Sequence, residues 1–246
     1  LMAAEFFRET KPIPPAPTTL HMAEHAKRID AAEKVNGSGI FADDIAVDGM
    51  LYARCVYSRY PRARIDRIDI SRAEALPDCV RVLTKADVPC NKIGHIKQDW
   101  DVMMGEGDTT RYVGNVLAVI ATYKKEKLYE IAALVEVDYT ELPAVTNPFD
   151  ALRGDAPLIH PDGNVMSRAN LVRGNADEAI KNSKYVVTRK YKTGWQEHGF
   201  MEPECCVAIP LDNGGVKLLT TDQSAHTTQH ECSAMLGVDF AHCQVE

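Results

Sequence analysis

A chain of 246 residues that is 45% hydrophobic and 26% charged has the composition of a soluble globular protein, with room for one large domain or two ordinary ones. A net charge of -7 argues against nucleic acid as a partner, because nucleic-acid binders present basic patches. No apolar run approaches the roughly 20 residues that cross a bilayer, which argues against a membrane partner. Seven cysteines without small-domain spacing and without a C-x-x-C pair point to a reducing cytoplasm.

The chain starts at Leu1 in LMAAEFFRETK, too short and too charged for a secretory leader, and runs into KPIPPAPTTL. Four prolines between Pro12 and Pro17 exclude helix interior and predict an extended polyproline-type connector. Residues 1–27 are therefore expected to link a preceding domain to the one beginning near Arg28.

Short strands and two helices are expected from Lys34 to about Pro148. Met50–Tyr57 (MLYARCVY) and Val80–Leu83 read as strands. Between them, Ser71 and Glu74 have capping-box spacing for a short helix that Pro77 ends. VLAVIA (116–121) is a continuous apolar run suited to a buried strand. In KKEKLYEIAALVEV, Leu128, Ile131, Ala132 and Val135 recur at helical spacing, and Val135–Tyr139 then reads as strand. Strand, helix and strand within about 25 residues make a compact α+β unit, short for a full crossover.

Residues 149–170 are rich in Pro, Gly, Asp and Asn and read as a linker. A second unit is expected over 171–246. Asn175 can cap a helix through Lys181, and Tyr185–Tyr191 alternates like a strand. Cys205–Pro210 and Val216–Thr221 flank LDNGG, where Asn213-Gly214 predicts a two-residue hairpin turn. Ser224–Leu236 predicts a helix closed by Gly237, and the final AHCQVE is polar but strand-like.

The densest cluster of polar chemistry is GWQEHGFMEPECCVAIP, from Gly194. Three readings compete there and just beyond. His226 and His230 lie four apart on the predicted helix, the spacing of paired zinc ligands. However, Thr227 stands where a zinc-peptidase helix needs its glutamate, no third ligand is marked, and polar helix surface explains the pair as well. Cys205 or Cys206 with His198 could form an activated thiolate, but adjacent cysteines opening an apolar strand also fit plain packing. The third reading makes QEH the side wall of a pocket, with Gln196 donating its amide to an oxygen of something bound. Its alternative is a surface strand beginning at Gln196 and Glu197. RGNADEA holds one glycine before a helix, a cap rather than a dinucleotide fingerprint.

The order of several separated motifs resembles a known family. KVNGSGIFADDIAVDGMLYARCVYS, TRYVGNVLAVIAT and LVEVDYTELPAVTNPFDAL resemble the α/β hammerhead domain of aldehyde oxidase and xanthine dehydrogenase. GWQEHGFMEPECCVAIP, LLTTDQSAHTTQHECSAMLGV and HCQVE resemble the start of the molybdopterin-binding domain of the same molybdenum hydroxylases. One departure is VGNVLA, where relatives commonly carry Glu-Pro after the glycine and this chain has Asn115.

The resemblance implies an α+β fold, with a hammerhead-like domain over 28–148 followed by the first part of a molybdopterin domain. It implies a cytoplasmic hydroxylase that oxidises a purine or related N-heterocycle with water-derived oxygen. The alternatives are a hydroxylase acting on aldehydes and a non-catalytic module that docks subunits. The implied cofactor is molybdopterin, in its cytosine dinucleotide form, with molybdenum. [2Fe-2S] clusters and FAD are expected on other domains or subunits, since this chain has no cysteine set for a cluster. By the same resemblance Gln196 sits beside the molybdenum and bonds an oxo ligand without being a direct metal ligand. The catalytic base and the rest of the molybdopterin domain are expected beyond Glu246, so residues 1–246 alone are expected to be inactive.

Overall fold

The structure, a computed structural model, describes residues 28–200 and 202–246. The polyproline connector expected over 1–27 lies outside the described residues. Two compact units are found. In the first, residues 28–40 hold helix α1 (Ala31–Asn36), with Asp30 taking both Arg28 and Lys34. Gly37, in the left-handed region at φ 78°, closes α1.

The second unit, 41–246, carries four small sheets. Its elements in chain order are β1 (Tyr52–Tyr57), β2 (Ala63–Asp69), α2 (Ser71–Glu74), β3 (Arg81–Leu83), β4 (Lys92–Ile93) and β5 (Trp100–Asp101). Then come β6 (Val116–Thr122), α3 (Leu128–Ala132), β7 (Glu136–Glu141), α4 (Pro148–Ala151) and α5 (Ala176–Lys181). The hairpin β8 (Cys206–Pro210) and β9 (Val216–Thr220), helix α6 (Ala225–Leu236) and β10 (Cys243–Val245) complete it.

The apolar run VLAVIA becomes β6, the central strand between antiparallel β1 and β3. Both its faces are covered, which is why its sequence does not alternate. Ala118 and Ile120 join Val82, Leu128, Ile131 and Val135 in one core, while Leu117 joins Ile65 and Met104 in another. Helix α3 is a single turn extended by a 3-10 turn at Lys125–Lys127, and it inserts Leu128 and Ile131 against β1 and β6. Strand β7 then leaves for a separate antiparallel pair with β2.

Three local expectations are corrected. Ser71 is the first residue of α2 rather than its cap, and no capping box forms, because Asp69 accepts both the Ser71 N–H (2.9 Å) and its hydroxyl (2.6 Å). Asn213-Gly214 is not a two-residue turn. The Gly214 N–H donates to Leu211 O and only Gly214 has positive φ, so this is a three-residue loop with a glycine bulge. Tyr185–Tyr191 is irregular and joins no sheet, because alternation makes a strand only where another strand supplies hydrogen-bond partners.

Other expectations hold. Asn175 Oδ1 accepts the Glu178 N–H and caps α5, and Gly237 at φ 69° closes α6. The terminal HCQVE forms β10, parallel to β9, after α6 has carried the chain across. Gln229 of α6 fastens that crossover by donating to the Cys243 carbonyl at 2.6 Å. Gly215 admits the next turn closely, since a Cβ there would lie 2.2 Å from the His242 carbonyl oxygen.

Candidate functional site

The QEH segment lies in the irregular run 185–200 that leads from α5 toward β8. Its downstream anchor is Cys205, whose N–H donates to Thr221 Oγ1 and whose carbonyl accepts from Thr220 Oγ1 and Thr221 N, each at 3.4 Å. The segment is thereby tied to the end of β9. Gly199, at φ 62°, turns the chain between QEH and that anchor. Gln196, Glu197 and His198 are exposed, and the one hydrogen bond among them is local, from the His198 N–H to Glu197 Oε1 at 3.0 Å. Among the described residues the Gln196 carboxamide has no hydrogen-bond partner.

Beside the anchor opens a groove of about 660 Å³ lined by Phe200, Glu204, Cys205, Cys206, Thr220 and Asp222, among others. Sequence alone gives no role to Thr220, Thr221, Asp222 or Gln223. Their only signal is a polar run directly after an apolar strand.

The rival chemistries are not assembled. No hydrogen bond joins His198 to Cys205 or Cys206. Burial of the sulfur pushes the Cys206 thiol up, although the residue as a whole is exposed, and this works against a reactive thiolate. Behind it, Cys232 on α6 is pushed up to about 11, by burial first and then by the neighbouring thiols of Cys243 and Cys206. His226 and His230 share a face of α6 but neither is buried. Among the described residues no group of three or more His, Cys, Asp or Glu is placed to hold a metal ion.

Comparison with known proteins decides the family. Residues 36–143 match the family model of the aldehyde oxidase and xanthine dehydrogenase a/b hammerhead domain, and residues 159–246 match that of the molybdopterin cofactor-binding domain. The chain belongs to the xanthine dehydrogenase family of molybdenum hydroxylases. Within this family, a probable xanthine dehydrogenase subunit of Bacillus subtilis (strain 168) is 32% identical over 212 residues, covering 86% of this chain and 28% of that protein. The nicotinate dehydrogenase large molybdopterin subunit of Eubacterium barkeri is 30% identical over 218 residues, 88% of this chain and 51% of that protein. The chain thus spans only part of the length of these relatives. Aldehyde oxidoreductase from Desulfovibrio gigas shares the fold, with a TM-score of 0.80 over 89% of this chain and 26% of that one, at 24% identity.

The chemistry of the Gln196 side chain fits the family's cofactor in one way and not in another. A carboxamide offers two N–H donors, carries no charge and does not titrate near neutrality. Exposed and uncommitted, it fits a partner that presents oxygen acceptors, as an oxo-bearing metal cofactor does. It does not fit direct metal ligation, for which no neighbouring ligand is gathered among the described residues.

Proposed function

We propose that this chain forms part of a molybdenum-dependent hydroxylase that oxidises a purine or a related N-heterocycle. The carrying observation is the order of its two domains, hammerhead match then cofactor-domain match, with the uncommitted Gln196 amide inside the second. In support of the substrate class, relatives of at least 30% identity are named for xanthine and for nicotinate, and both compounds are nitrogen heterocycles. The likeness to an aldehyde oxidoreductase supports the fold alone.

When bound, molybdopterin with molybdenum supplies the redox chemistry, and the protein supplies orientation and electrostatics. The part given to this chain is an amide donor. With the cofactor bound, Gln196 would offer an amide N–H to one of its oxygens, and would do so regardless of pH because the amide has no proton to lose near neutrality. Residues 28–148 serve as the hammerhead domain, 149–170 as the connection and 171–246 as the opening of the molybdopterin domain. The irregular run 185–200 leaves Tyr185, Val187, Tyr191 and Trp195 exposed, an apolar surface suited to burial against the remainder of that domain. Iron–sulfur and FAD groups, which would accept the electrons, would be held by other domains or subunits.

The test is metal and pterin analysis of the purified full-length polypeptide with its partner subunits, together with turnover of xanthine, nicotinate and benzaldehyde. Near-stoichiometric molybdenum with oxidation of a heterocycle is expected. Absence of both molybdenum and pterin would return the chain to the docking-module reading, and turnover confined to benzaldehyde would overturn the substrate class.

A further inference from the structure

We propose that a cavity in the hammerhead region binds a small organic carboxylate through Arg62. The cavity, about 530 Å³, lies between the start of β2, the loop before β6 and the irregular stretches around Val145 and Ile159. That volume is within the range of small-molecule sites, roughly 300–1,000 Å³. Neither the molybdenum chemistry nor the Gln196 segment draws on it.

Its charge is the first clue. Four cationic side chains line it (Arg62, Lys85, Lys92 and Arg111) against two carboxylates, Asp101 and Asp108. A protein of net charge -7 has concentrated positive charge in one concavity. The two carboxylates are already taken. Asp101 holds Lys92 and Arg111, each at 2.6 Å, and Asp108 holds Lys85 at 2.5 Å while also accepting the Gly105 N–H. Among the described residues the Arg62 side chain forms no ion pair, and its one hydrogen bond goes from Nη1 to the Pro143 carbonyl at 3.1 Å. A guanidinium has five N–H donors, so most of its fork is uncommitted.

The second clue is the apolar part of the lining. Ala144, Val145, Leu158 and Ile159 give the cavity an apolar side. A bare inorganic anion would leave that side wetted to no purpose, whereas a carboxylate on an apolar body satisfies both surfaces. A planar fork matched to a carboxylate is the arrangement in which arginine recognises such a group bidentately.

Isothermal titration of the full-length protein with benzoate tests the proposal, with benzamide as its uncharged counterpart. Saturable benzoate binding is expected, with benzamide at least about tenfold weaker, the scale of a hydrogen bond to a charged group. Arg62→Gln should weaken benzoate by about tenfold or more while leaving oxidation of the enzyme's own substrate unchanged. Leu158→Glu is the second variant. Leu158 is 59% exposed, so the fold tolerates the change, and the new carboxylate at the cavity wall should suppress benzoate binding. No benzoate binding, equal binding of benzamide, or undiminished affinity in either folded variant would overturn the proposal.

Discussion

The side-chain oxygen of Asn115 accepts the backbone N–H of Arg111 at 2.8 Å, closing the turn that leads into β6. Asn115 is 3% exposed and its backbone carbonyl also takes the Ser58 N–H, so this one residue joins the turn to the end of β1. The amide thus supplies locally a hydrogen-bond acceptor that the turn needs. Asn115→Ala should orphan the Arg111 N–H at a cost of about 1–3 kcal/mol. Amide hydrogen exchange at Arg111 is expected to quicken roughly ten- to a hundredfold. Unchanged exchange would mean that the turn is held from elsewhere.

The same turn delivers Arg111 to Asp101, whose side chain is 8% exposed. Burial alone would raise the Asp101 carboxyl, but hydrogen bonds from Lys92 and then Arg111 outweigh it and hold the carboxyl below the usual carboxylate range. A depressed folded value contributes stability that is present above the unfolded value of about 3.9 and lost as pH falls through the folded one. Asp101→Asn should therefore destabilise by about 1.5–3 kcal/mol at pH 7. The gap should close in acid, where the native carboxyl is itself neutral. Thermal melts of both proteins between neutral and acidic pH check this, and a gap that persists in acid would assign the cost to packing instead.

Helix α3 offers a contrast between its two faces. Ile131 is fully buried in the β1–β6 core, whereas Tyr129 is 71% exposed and lies under the Arg54 guanidinium at 3.9 Å. Ile131→Ala should cost about 2–5 kcal/mol through lost burial and the cavity it leaves. Tyr129→Ala removes an exposed cation–π contact worth about 0.5–1 kcal/mol. Denaturant midpoints of the two variants should separate clearly. Comparable losses would mean that the Tyr129 face is covered in the assembled protein.

These contrasts also show what could be read from sequence. β6 was legible because burial on both faces writes a continuous apolar run, and α6 because Gly237 marks a helix end. The paired two-residue strands β4 and β5 were not, since two residues carry no period. Tyr185–Tyr191 has the strand alternation, but pairing belongs to two segments and no single segment reveals it. The cations of the hammerhead cavity come from positions 62, 85, 92 and 111, separations that no local pattern connects. At the candidate site, residue types and motif order pointed to Gln196, while its surroundings depend on contacts distant in sequence.

Gln196 itself carries the last prediction. If its amide donates to a cofactor oxygen, Gln196→Glu places a carboxylate against an electron-rich atom. That carboxylate is either repelled or forced to take up a proton, and in both cases the original donor geometry is lost. Removing one preorganised donor at a reacting centre costs about 10²–10³ in turnover. The residue is exposed in an irregular run and supports no core contact, so folding and melting temperature should be unaffected. The expected result in the full enzyme is a folded, molybdenum-loaded protein with turnover reduced on that scale. Glu197 and Glu202 serve as controls, because neither is assigned a bond to the cofactor, and Glu197→Gln and Glu202→Gln should retain most activity. Full activity in Gln196→Glu, or unfolding in Gln196→Ala, would show that the glutamine acts as a structural residue and remove it from the site.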